Sequence, residues 1–172
     1  MSQTYTLAQL NALPADAFIE LLGGIYEHSP WVAQAAAAQR PFANIATLAD
    51  TMRAIVDGAG DAAQITLVRA HPELAGKAAV RGELTAESTR EQSGAGLDQC
   101  SAAEFEQLQD LNRRYNEKFG FPFILAVRGY DRAGIIGEFA RRIGNAPAAE
   151  LQTCINQIHR IAQFRLDDLV SR

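Results

Sequence analysis

Apolar residues along this chain recur at intervals of three and four and almost never alternate, a period that belongs to helices. After Pro14, a residue suited to the first turn of a helix, Phe18, Leu21, Leu22 and Ile25 share one face. Ile45, Leu48, Met52, Ile55 and Val56 mark a helix over about residues 44–57, closed by Gly58-Ala59-Gly60. Asp61 opens another that runs toward His71. Thr6 with Gln9, and Ser101 with Glu104, have capping-box spacing, and the second pair opens a long helix through Phe105, Leu108, Leu111 and Tyr115. Two more helices are expected over about 132–143 and 148–170, while Pro30 and Pro41 break the chain ahead of residue 44 into short pieces. The apolar run 121–127 has no second strand to pair with and is read as a loop or a helix start. No repeat or linker interrupts the pattern. The expectation is an all-α fold, a single compact multi-helix domain covering residues 1–172.

At 172 residues, with 48% hydrophobic and 21% charged residues, the chain is long enough to build its own core. Its apolar stretches fall far short of the roughly 20 residues of a membrane span, so no membrane partner is expected. A net charge of −4 without clustered Lys or Arg argues against nucleic acid. Cys100 and Cys154 are too few for a disulfide framework, and neither they nor His28, His71 and His159 have metal-ligand spacing. No metal is expected. The N-terminal residues have no secretory pattern and Leu169-Val170-Ser171-Arg172 is not a Ser-Lys-Leu address, which makes the cytoplasm the expected location.

Three segments carry candidate chemistry. In His71-Pro72-Glu73-Leu74-Ala75-Gly76-Lys77 the proline disfavours helical geometry at His71, so the imidazole stands where the preceding helix stops. It is either a solvent-facing histidine at a helix C-terminus or a catalytic group on a rigidly held loop. Ser88-Thr89-Arg90-Glu91-Gln92 reads as a capping box or as convergent polar groups lining a pocket, and the pattern does not choose. Arg165 stands inside the apolar stripe formed by Leu151, Ile155, Ile158, Ala162 and Leu169. A guanidinium there requires a buried carboxylate or a bound anion.

Taken together, these stretches resemble the 2-oxo-4-hydroxy-4-carboxy-5-ureidoimidazoline (OHCU) decarboxylases of urate catabolism. Besides His71–Lys77, the matching residues include Gly82-Glu83-Leu84-Thr85-Ala86-Glu87-Ser88, Glu91-Gln92, Gly94-Ala95-Gly96-Leu97 and Leu111-Asn112. They continue through Lys118-Phe119-Gly120-Phe121-Pro122-Phe123-Ile124, Ala126-Val127-Arg128-Gly129, Ile158-His159-Arg160-Ile161-Ala162 and Arg165-Leu166. The resemblance covers essentially the whole chain. It implies an all-α homodimer and a cofactor-free decarboxylation of OHCU to (S)-allantoin. It also implies His71 as the catalytic acid and Glu91 as a second catalytic residue, which either orients the imidazole or holds a substrate hydroxyl or ureido group. Pro72, Ser88, Gln92, the Phe123, Ile124, Leu125, Ala126 and Val127 run, and Arg165 are implied as substrate contacts.

The residue set suits that chemistry. Loss of carbon dioxide leaves an electron pair that a conjugated imidazoline can delocalise, so no cofactor sink is needed. A histidine with an ordinary pKa near 6.5 can return a proton near neutral pH. Two other classes fit parts of the sequence. A ureido-acid hydrolase would use the same His and Glu to activate water. A helical interaction module would need neither the buried arginine nor the glycine-rich polar loop.

Overall fold

The computed structural model describes residues 3–171. Among these the secondary structure is ten α-helices and a 3₁₀ turn at Leu97–Gln99: α1 Leu7–Ala12, α2 Ala15–Leu22, α3 Pro30–Ala37, α4 Ile45–Asp57, α5 Asp61–Ala70, α6 Lys77–Val80, α7 Ala86–Gly94, α8 Ala102–Phe119, α9 Arg132–Arg142 and α10 Pro147–Leu169. The one strand-like feature among them is an isolated parallel bridge between Tyr5 and Val170. The all-α expectation holds, and no helix is long and apolar enough to cross a membrane. The chain resolves into two compact units. One takes in the chain up to Ala70 and from His159 onward, the other His71–Ile158.

Local sequence explains most boundaries. Thr6–Gln9 and Ser101–Glu104 both form reciprocal capping boxes. Asn44 caps α4, its side chain accepting from the Thr47 N–H. Pro30 departs from its reading as a breaker. It occupies the first turn of α3, where its missing N–H has no helical partner to lose. Ile25 falls beyond the end of α2, in the connection to α3.

In the first unit α2 packs on α3, and α3 on α4, around buried Leu10, Phe18, Leu22, Val32, Leu48, Met52 and Val56. The connection after α2 carries buried Tyr26 and Glu27. The Tyr26 hydroxyl lies 2.9 Å from His159 Nδ1, and His159 Nε2 lies 2.8 Å from the Asp57 carboxylate. A carboxylate only accepts, so Nε2 carries the proton, and Nδ1 of the neutral ring accepts from the tyrosine. Burial holds the His159 pKa below its ordinary value, against the opposing pull of Asp57, and pushes the Tyr26 pKa up.

The second unit is built on α8, whose buried Leu108, Leu111 and Tyr115 continue into an aromatic cluster. The Tyr115 ring stands edge-on to Phe123 and Phe139, which stack on each other 3.9 Å apart. Residues 121–127 form a buried irregular segment and not a helix start. The next helix waits for Asp131, whose side chain caps α9.

The lowered pKa of His159 has a stability consequence. The folded state gives up this proton more readily than the unfolded chain, so stability is full above the unfolded pKa near 6.5. It is lost as pH falls toward the lower folded value. The urea midpoint is therefore expected to drop between pH 7.5 and 5.5, and His159→Gln to flatten that dependence. An unchanged slope in the variant would assign the acid sensitivity to other groups.

Candidate active site

Every residue singled out from the sequence except Arg165 falls in the His71–Ile158 unit. His71 follows directly on α5, which Pro72 prevents from continuing. The imidazole is not solvent-facing: His71 is 7% exposed. The loop that follows is irregular until α6 begins at Lys77.

Side-chain amides hold this loop. Gln92 Oε1 accepts from the Ala75 N–H at 2.9 Å, and Gln92 Nε2 donates to the Glu73 carbonyl at 3.2 Å. From α8, Gln109 Nε2 donates to the Ala75 carbonyl at 2.7 Å and Asn112 Nδ2 to the Leu74 carbonyl at 3.0 Å. Asn116 Nδ2 donates to the Glu73 carboxylate at 2.7 Å. Ala75 itself has a φ of 50°, the left-handed region that a side chain disfavours. Gly76 follows because a Cβ there would stand 2.7 Å from the Glu73 side chain.

The polar segment 88–92 lies on α7. Its N-cap is Thr85, whose hydroxyl accepts from the Ser88 N–H, so Ser88 sits inside the helix and does not cap it. That removes the capping box as the reason for Ser88 and Glu91. Positions 88, 91 and 92 share a face by their spacing of three and four. Ser88 and Gln92 are buried and Glu91 is half-buried.

The 123–127 run is held by side chains that sequence reading missed. Arg142, fully buried, donates through Nη1 to the Ile124 carbonyl at 2.6 Å, and its guanidinium stacks 4.3 Å from the Phe123 ring. Its charge is met by Glu150, 2.6 Å away and equally buried. Glu150 also accepts from the Tyr115 hydroxyl at 2.6 Å and from Asn145 at 2.8 Å. Burial pushes the Tyr115 and Cys154 pKa values up, so both stay neutral. Gln157 Oε1 accepts from the Ala126 N–H at 3.0 Å. Arg142 was detectable in principle, three residues after Phe139 and seven after Ile135 on an otherwise apolar stripe.

A cavity of about 480 Å³ opens beside α7, with Ala75, Leu84, Gln92, Leu97, Cys100 and Phe105 on its wall. Of the residues expected in a site, it touches Gln92 and not His71, Ser88 or Glu91.

A family model for OHCU decarboxylase matches residues 11–167. The chain belongs to the OHCU decarboxylase family. It is 40% identical over 166 residues to the 2-oxo-4-hydroxy-4-carboxy-5-ureidoimidazoline decarboxylase of Haloferax volcanii, covering 96% of each chain. Over 164 residues it is 40% identical to the enzyme of that name from Mus musculus, covering 95% of this chain and 92% of that one. Among solved structures, an (S)-allantoin synthase superposes with a TM-score of 0.76 at 30% identity, over 96% of this chain and 54% of that one. An OHCU decarboxylase crystallised in the presence of (S)-allantoin has the same fold, with a TM-score of 0.69 at 23% identity.

Arg165, in the other unit, has the buried carboxylate its position demanded. Its Nη1 lies 2.6 Å from Glu27 Oε2 and 2.9 Å from the Gly24 carbonyl, tying α10 to the connection after α2. A lysine stem ends one atom short of Nη1, so its ammonium would not reach both acceptors from that position. Arg165→Lys is expected to cost about 1–3 kcal/mol of stability, the range for a hydrogen-bonded charged group left partly unmatched. A urea midpoint equal to that of the parent would show the ion pair to be dispensable.

Proposed function

We propose that this chain decarboxylates OHCU to (S)-allantoin without a cofactor, with His71 as the group that returns the proton. Carrying the reading is the near-complete alignment, at 40% identity, with decarboxylases that act on this compound. In the reaction the bond between the ring carbon and its carboxylate breaks and carbon dioxide leaves. The electron pair passes into the conjugated imidazoline to leave an enol, and protonation of one face of the neighbouring ureido-bearing carbon, as the hydroxyl gives up its proton and becomes the carbonyl, completes the product. The enzyme's share is orientation, a low-dielectric setting and delivery of the proton. His71 suits the last task because it is buried, on a loop whose backbone is held at three successive residues.

Glu91, half-buried on the same face of α7 as Ser88 and Gln92, is assigned to orient His71 or a substrate hydroxyl or ureido group. Ser88 and Pro72 are assigned as substrate contacts. Gln92 keeps one N–H and one lone pair beyond its bonds to the loop, which suits a substrate contact as well. From the Phe123–Val127 run, the peptide groups not taken up by Arg142, Cys154, Gln157 and the turn to Tyr130 are assigned to the substrate. For Arg165 the family resemblance proposes a substrate carboxylate or carbonyl. Loss of inhibitor affinity in folded Arg165→Lys would support that contact, and unchanged affinity would leave only the ion pair with Glu27. A homodimer and a cytoplasmic location are carried as parts of the same proposal, the first open to light scattering of the purified protein.

The direct test couples the purified protein to urate oxidase and hydroxyisourate hydrolase and follows the circular dichroism of chiral allantoin. His71→Asn is expected to cut turnover by at least about 10²-fold with the fold intact. Near-normal turnover in that variant would remove His71 from the reaction. Glu91→Gln keeps the shape and removes the charge. It is expected to lower turnover while leaving the melting temperature nearly unchanged, whereas full activity would return Glu91 to a structural role.

A further inference from the structure

The His71–Gly76 loop is buried around its centre, at Leu74, Ala75 and Gly76, yet it belongs to no helix or sheet ladder that would satisfy its peptide groups. A buried peptide group without a partner is costly, so something must supply the missing bonds. Here the suppliers are neutral amides: Gln109 and Asn112, on one face of α8, and Gln92 on α7, while Asn116 on the same face of α8 holds the Glu73 carboxylate. The strained residue, Ala75, is gripped at both of its peptide groups: Gln92 takes its N–H and Gln109 its carbonyl. Asn112 contributes the Leu74 bond while its own Oδ1 is buried without a hydrogen-bond partner among the described residues. An apolar residue there would avoid that penalty, so the amide earns its place through the bond it donates.

We propose that Gln109 and Asn112, with Gln92, are positioning residues for the decarboxylation: they fix the backbone of the loop and with it the point at which His71 delivers its proton. Neither Gln109 nor Asn112 needs to touch substrate for this. The role rests on the assignment of His71 made above. Displacing a proton donor by a fraction of an ångström to an ångström costs on the order of 10- to 100-fold in rate.

Half-buried Gln109 gives the cleaner variant, since Gln109→Met keeps the length and deletes the donor without adding a charge. Its kcat is expected to fall by on the order of 10- to 100-fold, with KM within about threefold of the parent and the melting temperature nearly unchanged. Adding Ala75→Gly should then recover part of the lost kcat, because glycine adopts the left-handed conformation without needing to be held there. Parental kcat in a folded Gln109→Met variant, or a kcat loss that Ala75→Gly does not recover, would overturn the role. An inactive parent protein would instead overturn the reaction assigned to this chain. Asn112→Leu provides the second arm, where a fall in kcat greater than the loss of folded protein supports positioning and a merely proportional fall opposes it.

Discussion

A single buried ion pair, Arg142 with Glu150, sets how this helical unit carries an irregular segment through its interior. A guanidinium cannot shed its charge, and an isolated one in a core would not be tolerated. Glu150 answers the charge, and Tyr115 and Asn145 satisfy that carboxylate further. With its charge met, Arg142 is free to spend a donor on the Ile124 carbonyl and its flat face on Phe123. Residues 123–127 can then lie buried without a sheet to receive their peptide groups. Removing either ion would leave the other uncompensated, and the run would lose its anchor at the same time.

The helices were legible because their boundaries are written locally, in Thr6, Asn44, Ser101 and Asp131 and in the three- and four-residue apolar spacing. The site was legible only in part. His71 could be placed at a helix end because Pro72 acts on its immediate neighbour, but nothing local says that the imidazole is buried. Ser88 was ambiguous for the opposite reason: a capping pattern is present, yet Thr85 three residues earlier takes the cap.

Arg165 and Arg142 show the same signal, a charge inside an apolar stripe, and sequence cannot tell a structural partner from a ligand. The structure gives Arg165 a partner, Glu27, 138 positions away along the chain, a pairing that no local pattern encodes. The amides at 109, 112 and 116 are harder still. Beside the apolar Leu108, Leu111 and Tyr115 they resemble the solvated flank of an amphipathic helix. Only the fold brings the loop at 73–75 to them.

The chemistry of the holding groups differs between the two units in a way that matters for pH. The connection after α2 is fastened through Tyr26 to His159 and through Glu27 to Arg165, so one of its two fastenings is a group whose charge changes in mildly acid solution. The backbone of the His71 loop is fastened by Gln92, Gln109 and Asn112, and amides do not titrate. A loop proposed to present a proton-delivering imidazole gains from such support. The amides hold the backbone alike at any pH, and they add no charge beside the loop. A lysine in place of Gln109 would hold the same carbonyl but add a positive charge near the loop, which would disfavour a protonated His71, the form that the proposed proton delivery uses. Neutral amides supply rigidity without that electrostatic penalty.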